Sequence, residues 1–244
     1  LQEGDVSQVN WINLVWFCGN GLLILTVYPL VFLVERLFGF LSDATLFELS
    51  DTNQPLLRKL AEKTPGTFQH SMQVANLAEE AVVKVGGNPL LVRTGALYHD
   101  IGKINNPDCF IENQRSGVNP HEQMTNFESA EKIISHVTDG KKMAKKNRLP
   151  QVLIDFIMTH HGTTRVEYFY RNQLNDFPDK EFDETLFRYP GPKPRTKEEA
   201  ILMLADSLEA ASKSLKNPTG EDIDKLVDKI IAYKIEENQL DDAN

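Results

Sequence analysis

The sequence predicts an all-α protein: a helical bundle preceded by a transmembrane helix. Three observations predict this. Apolar residues recur at three- and four-residue spacings along most of the chain, the repeat of helices that bury one face. No stretch sustains the two-residue alternation of a half-buried strand. From Val6 to Val34 there is no charged residue at all.

Residues 1–10 read as a loop, and the opening LQEGD does not resemble a natural start, so a fragment of a longer chain is expected. Trp11–Val34 runs WINLVWFCGNGLLILTVYPLVFLV, and about 20 such residues span the hydrocarbon core of a bilayer. Residues 11–36 are therefore placed as a transmembrane helix. It lacks the basic flank and small-residue cleavage site of a signal peptide. Asn20, its flanking glycines and Pro29 are its weak points; such residues are tolerated where neighbouring helices re-satisfy the backbone. Residues 37–53 read as an amphipathic linker ending in the turn chemistry of Asp51-Thr52-Asn53, and 54–244 as the folded domain.

Within that domain, Thr67 reads as the cap of a helix carrying His70, Val74, Leu77, Ala78, Ala81 and Val85 on one face. Asn88-Pro89 supplies a cap and a first-turn proline for a helix that ends at His99-Asp100. Ile104–Met124 reads as a loop. Thr125–Glu128 forms a capping box for a helix bearing His136. Pro150 opens a helix ending in His160-His161. Asp176–Arg195 is polar and proline-rich. Thr196–Glu199 is a second capping box, before a helix with Asp206 in its apolar interior. Thr219–Gln239 is a last amphipathic helix.

Charge and composition exclude some functions. The chain has 244 residues, 41% apolar and 25% charged, with a net charge of -9. A broad basic surface for a nucleic-acid polymer is therefore not expected. Cys18 and Cys109 are too few for a disulfide framework and lack metal-site spacing.

The histidines are the informative residues. His70, His99, His136, His160 and His161 lie on four predicted helices, at or near apolar faces. Asp100 and Asp206 are placed similarly, where an unpaired carboxylate costs several kcal/mol. Each alone has an ordinary reading as a hydrogen-bonded core residue or half of a buried ion pair. Five imidazoles and two carboxylates aimed at one core point instead to metal. Adjacent helical residues diverge by roughly 100°, so His99 and Asp100 are expected to reach different sides of a cluster rather than chelate one ion from one face. Seven side chains exceed one four-coordinate zinc site. Two ions sharing Asp100 would use them all: His70, His99, Asp100 and Asp206 on one, Asp100, His136, His160 and His161 on the other. This donor set suits two divalent ions, iron or manganese. A two-metal site activates a bridging water and clamps phosphoryl oxygens, so phosphodiester hydrolysis is the expected chemistry. Two-iron oxygenases are the competing class.

The order H…HD…H…HH…D resembles the HD-domain superfamily of metal-dependent phosphohydrolases. PGTFQHS at 65–71, YHDIGK at 98–103, FIENQ at 110–114, NPHE at 119–122, HVTDG at 136–140, HHGTTRVEYFY at 160–170 and RYPGPKPRTKEEAILMLADSLEAAS at 188–212 resemble one subfamily. It is the seven-transmembrane HD-domain family, membrane-bound cyclic di-AMP phosphodiesterases of bacteria. The resemblance implies the ligand set above and cleavage of cyclic di-AMP to linear pApA. It also implies that the apolar run is the last membrane helix of a longer region and feeds a cytoplasmic domain at the cell membrane. Gln69 departs from the pattern, which has a bulky or histidine residue there; no ligand position is lost. The nearest alternative is a cyclic di-GMP phosphodiesterase of the HD-GYP type, against which no Gly-Tyr-Pro follows HDIGK. A non-catalytic dinucleotide-binding relay is the alternative of another class.

Around the ligands, Lys103 is a candidate catalytic and phosphate-holding residue. His121, Arg188, Lys193 and Arg195 are candidate substrate-binding residues. Tyr168, Phe169, Tyr170 and Tyr189 are candidates to stack on adenine, against an ordinary packing role. The expected partners are the cyclic dinucleotide and the membrane. A homodimer is compatible with the sequence, which does not fix the oligomeric state.

Overall fold

A computed structural model describes residues 10–38, 40–114 and 119–243. The loop expected over residues 1–9 lies outside them. Among the described residues there are α-helices and short 3-10 turns but no strand; Arg165 and Arg188 form an isolated antiparallel bridge. The chain divides into two compact units, Leu1–Thr45 and Leu46–Asn244.

The first unit carries α1 (Trp11–Leu25) and α2 (Val27–Phe38). The Asn10 side chain starts α1, accepting from the backbone N–H groups of Ile12 and Asn13 at 3.1 and 3.4 Å. The sequence predicts one helix here; the structure interrupts it at Thr26. Pro29 supplies the reason, because it has no N–H to return to the carbonyl four residues earlier. The segment Trp11–Glu35, 25 residues with a mean hydropathy of 2.0 and none of its apolar window buried, remains long and apolar enough to cross a membrane.

The second unit starts earlier than the expected boundary at residue 54. Part of the predicted linker is helix α3 (Asp43–Leu49). Its Leu46 is buried, and the carbonyls of Leu46 and Leu49 accept from Thr94 Oγ1 at 3.4 Å and the Tyr98 hydroxyl at 2.9 Å. Helices α4 (Pro55–Lys63), α5 (Pro65–Lys84) and α6 (Pro89–Tyr98) each open on proline. Proline suits the first helical turn, where its missing N–H would have had no partner. Thr67 is therefore not a cap: α5 begins two residues before it, and Thr67 is buried inside the helix.

The stretch expected as loop after His99-Asp100 is a chain of 3-10 turns at Ile101–Asn105, Pro107–Cys109, Ile111–Asn113 and Pro120–Gln123. Helix α7 (Asn126–Lys146) carries the expected capping box of Thr125 and Glu128. It is followed by α8 (Gln151–Thr159), α9 (Glu167–Asp176), α10 (Lys197–Ser212) and α11 (Gly220–Glu236). The box predicted for α10 is half closed. Thr196 caps the Glu199 N–H, but the Glu199 carboxylate turns to the Arg195 N–H at 2.7 Å.

The main core lies among α4, α5, α6, α8 and α10, around fully buried Leu60, Val74, Ala78, Val92, Ile157 and Leu202. The larger of these, Val, Leu and Ile, are worth roughly 1.5–3 kcal/mol each when taken from water. Two glycines set how closely the helices approach. A Cβ on Gly95 would lie 2.6 Å from the Phe156 ring, so α6 seats directly on α8. A Cβ on Gly102 would collide with the backbone carbonyl of His136 and lie 2.6 Å from Gly140 N. That second approach presses the turn after Asp100 against the middle of α7.

Candidate metal centre

Five helices and the turn that follows α6 deliver the seven candidate ligands to one cleft. His70 projects from α5, His136 from α7 and Asp206 from α10. His99 ends α6, and His160 ends α8 with His161 directly after it. Gly162 follows at φ +54°, the left-handed backbone that ends the helix. Because α6 stops at Tyr98, Asp100 is outside the helix. The pair is thus freed from the helical divergence expected from sequence, and His99 Nε2 comes within 3.2 Å of Asp100 Oδ2.

Asp100 is the hub, and its two oxygens face different partners. Oδ2 lies 3.2 Å from His99 Nε2 and 3.6 Å from His70 Nε2. Oδ1 lies 3.3 Å from His136 Nε2 and 3.7 Å from His160 Nε2. Asp206 Oδ1 closes one side, 2.9 Å from His70 and 3.7 Å from His99; its Oδ2 is 3.7 Å from His161 Nδ1. Two triads, His70-His99-Asp100 and His136-His160-His161, each bring their potential ligand atoms within 4.8 Å of one another.

The backbone fixes the ring tautomers. Nδ1 of His99, His136 and His160 faces the carbonyl oxygens of Ala96, Ile133 and Ile157 at 2.7, 2.6 and 2.9 Å. A carbonyl only accepts, so each Nδ1 carries a proton and each ring points its Nε2 inward, where it offers a lone pair when the ring is neutral. Nε2 of His136 and His160 are 3.2 Å apart, and two lone pairs cannot satisfy one another. Buried His99 Nε2 and Asp100 Oδ1 have no hydrogen-bond partner. Inward lone pairs, two carboxylates and orphaned buried acceptors fit divalent cations. His70 differs: its Nδ1 meets Glu209 Oε2 at 2.5 Å, so a carboxylate orients it.

The charges divide the cleft. Burial opposes charge on Asp100, but Lys103, His99 and His136 outweigh it and hold the carboxyl well below its usual range. Burial likewise opposes charge on His99, yet Asp100 prevails and pushes the ring up to about 10. On the other side burial dominates, pushing His160 down to about 3, with the neighbouring His99 charge adding to it. His136 moves down for the same first reason.

The remaining predicted residues are only partly brought together. Lys103 lines the cleft, with Nζ 2.7 Å from Asp100 Oδ2 and 2.9 Å from Glu112 Oε1. Tyr189 lines it too, stacked on His161 with ring centroids 4.2 Å apart. His121 does not reach the metal cleft; its Nε2 donates to the Cys109 carbonyl at 2.8 Å. The predicted basic cluster is not at the cleft. Arg188 is committed to Glu184 at 2.7 Å and Glu237 at 2.9 Å. Exposed Arg195 pairs with Asp155 at 3.3 Å. Half-buried Lys193 is likewise absent from the described residues lining the cleft. Tyr170 packs under Arg165; Tyr168 and Phe169 line a neighbouring cavity.

Sequence reasoning missed Glu209, Glu112 and Lys213. Glu209 lies one helical turn after Asp206, a spacing that was itself the signal. Glu112 accepts from Lys103 and from Thr67 Oγ1, the latter at 3.0 Å, and sat inside the FIENQ stretch. Lys213 reaches Glu209 at 2.8 Å from the cleft's rim. The whole cleft measures about 800 Å³.

Comparison with known proteins agrees with this geometry. The HD domain family model matches residues 67–211. The cyclic-di-AMP phosphodiesterase PgpH of Listeria monocytogenes serotype 1/2a (strain 10403S) is 44% identical over 241 residues, 98% of this chain and 33% of that protein. PgpH of Bacillus subtilis (strain 168) is 45% identical over 240 residues, again 98% and 33%. The chain thus spans about a third of the length of these curated relatives. The crystal structure of the L. monocytogenes PgpH HD domain in complex with cyclic-di-AMP superposes with a TM-score of 0.76 at 46% identity, covering 80% of this chain and 90% of that one.

Proposed function

This chain belongs to the HD-domain family, and on that premise we propose that it is a metal-dependent phosphodiesterase hydrolysing cyclic di-AMP to linear pApA. The observation that carries the reading is the two-sided Asp100. Its oxygens face His70 and His99 on one side and His136 and His160 on the other, as a carboxylate bridging two ions would. His70, His99, Asp100 and Asp206 would hold one ion, and Asp100, His136, His160 and His161 the other, with iron or manganese best matched to these donors. Divalent ions held there would supply Lewis acidity toward a phosphoryl group and toward a nucleophilic water. The chain's own residues do the rest. Asp100 and Asp206 neutralise positive charge. Lys103, held between two carboxylates, keeps a fixed cation beside the phosphate, and Tyr189 covers the His161 ring. The apolar segment Trp11–Glu35 would anchor the domain at the cytoplasmic face of a bacterial membrane.

The test is a hydrolysis assay on the full chain in detergent, loaded with Mn or Fe, offered cyclic di-AMP and cyclic di-GMP side by side, with Asp100→Asn as control. Metal-dependent release of pApA, lost in the control, is the expected result. Cleavage of cyclic di-GMP alone would overturn the specificity. Absence of cleavage with both metals bound would overturn the activity.

A further inference from the structure

Four of the five candidate ligand histidines have their rings fixed directly. Backbone carbonyls hold His99, His136 and His160, and Glu209 holds His70. His161 has no such bond among the described residues. Asp206 Oδ2 stands 3.7 Å from its Nδ1, beyond hydrogen-bond reach. Its side chain is 23% exposed, where the other four are 5% or less. Two things therefore set its place: Tyr189, stacked on its face, and the backbone turn that carries it. In that turn Thr164 folds back, its N–H and Oγ1 donating to the His161 carbonyl at 3.1 and 2.7 Å. The Tyr189 N–H donates to the Thr164 carbonyl at 2.9 Å, so the stacked ring and the turn are tied together.

The turn is gripped from the far end of α11, 76 residues later in the chain. Asn238 takes φ +53° there, and the N–H groups of Asn238 and Gln239 return to the carbonyls of Ile235 and Lys234 at 2.9 Å each. This pattern reverses a chain at a helix end, and it carries Gln239, 1% exposed, back against Thr163. Gln239 Oε1 accepts from the Thr163 N–H at 2.9 Å, and Nε2 donates to Thr163 Oγ1 at 2.9 Å. Nε2 also donates to the Glu237 carbonyl at 2.9 Å. The Glu237 carboxylate in turn holds Arg188, which donates to the Thr163 carbonyl at 3.0 Å. Both backbone groups of Thr163 are thus held by the end of α11, one directly and one through Arg188. A Cβ on Gly162 would collide with Gln239 Oε1, so a glycine directly after His161 is what admits the amide. We propose that Gln239 is a positioning residue for metal binding: it clamps the turn after His161 and so aims a ring that nothing else hydrogen-bonds. An amide suits the task, since it donates and accepts at once and brings no charge to the ligand. This role rests on the two-ion reading proposed above and deepens it by naming what holds its outermost ligand.

The experiment titrates the full chain in detergent with Mn against a chelator of known affinity, and records the Mn electron paramagnetic resonance spectrum at each step. Gln239→Leu is compared with wild type and with two ligand variants, His161→Ala and His70→Ala, which mark the loss of either ion. Gln239→Leu is expected to bind one ion as wild type does and the other roughly 10-fold more weakly, the low end of the range for losing a partner outside the ligands. With one ion bound, its spectrum should match that of His161→Ala. A spectrum matching His70→Ala overturns the clamp, as does equal weakening of both ions. A lower Tm with both affinities unchanged overturns it too, because the amide would then serve folding alone. Thr163→Val keeps the side chain's shape and the backbone bond but removes the hydroxyl that Gln239 Nε2 meets. It should weaken the same ion by less, and it carries the test if Gln239→Leu does not fold; unchanged affinity there overturns the clamp. Wild type that binds fewer than two ions would strike the two-ion reading and the clamp together. Wild type that binds two ions without cleaving cyclic di-AMP would strike the activity alone, and the Gln239→Leu titration would still decide the clamp.

Discussion

Replacing Glu209 tests whether His70 is a ligand held by its partner or a core histidine with an ordinary hydrogen bond. Glu209 is 4% exposed and meets His70 Nδ1, while His70 itself is 5% exposed. Water therefore cannot easily take the carboxylate's place. Removing a carboxylate behind a metal-bound imidazole typically costs 10- to 100-fold in metal affinity, or about 1.4–2.8 kcal/mol. Glu209→Gln keeps an acceptor of similar shape and is expected near the low end of that range. Glu209→Ala leaves the buried Nδ1–H unpaired and is expected near the high end. Lys213 pairs with the far oxygen of Glu209 but is half exposed, so Lys213→Met should change affinity by only a few-fold. The assay is competition for Mn against a chelator of known affinity, with thermal melting to check folding. A folded Glu209→Ala protein that binds Mn as tightly as wild type would refute this reading of His70.

Two further predictions follow from packing and burial. Gly102→Ala forces a methyl into the His136 carbonyl, a backbone atom that cannot rotate away; stability should fall by at least about 1–3 kcal/mol, the typical cost of overpacking, read as a lower Tm, and a near-wild-type melt would contradict the close approach. Burial holds the Lys234 pKa below its ordinary 10.5, with Asp206 and Glu237 offsetting only part of the effect. Folding then disfavours the charged form, so the penalty is complete below the folded pKa and fades as pH rises to 10.5. Lys234→Met should raise Tm at pH 7, with a gain that shrinks in melts at progressively higher pH.

The metal cleft was legible in sequence because its residues obey local rules. Each histidine continues an apolar helical stripe, and a polar residue on such a stripe must find a partner inside. The helix starts were legible where one signal stood alone, as at Thr125, and misread where two competed. Thr67 can cap a helix, but Pro65 already opens it, and the fixed φ of proline decides the matter. Pro29 was visible as a weak point, and the carbonyl it leaves unpaired, four residues earlier, lies beside the interruption at Thr26. The basic cluster failed for a different reason. Arg188 has a local partner in Glu184, four residues before it, but Glu237 and Asp155, about 40 or more residues away from Arg188 and Arg195, are brought to them only by the fold. The linker was misjudged likewise, since the helical residues of α3 gain their partners, Thr94 and Tyr98, from α6.

Lys103 supports a last prediction in which two measurements move in opposite directions. Its sequence position suggests a phosphate-holding charge; its geometry shows a cation lodged between Asp100 and Glu112, 12% exposed. Burial opposes that charge, but the two carboxylates outweigh it and raise the pKa far above neutrality. On the proposed reading Lys103 keeps its proton, and its effect on turnover is expected to be electrostatic. Its charge also sits 2.7 Å from Asp100 Oδ2, where it repels any metal ion that carboxylate binds. Lys103→Met removes both effects at once. Metal affinity should hold or rise, because a like charge beside the ligand has been removed. Turnover should fall by roughly 100- to 1,000-fold, as for loss of one preorganised group facing the developing charge. The pH dependence of kcat should keep its shape, because no titrating donor has been removed. A parallel fall in metal affinity and turnover would mean that Lys103 acts only by positioning Asp100. Loss of the alkaline limb of the profile would mean that it does give up its proton.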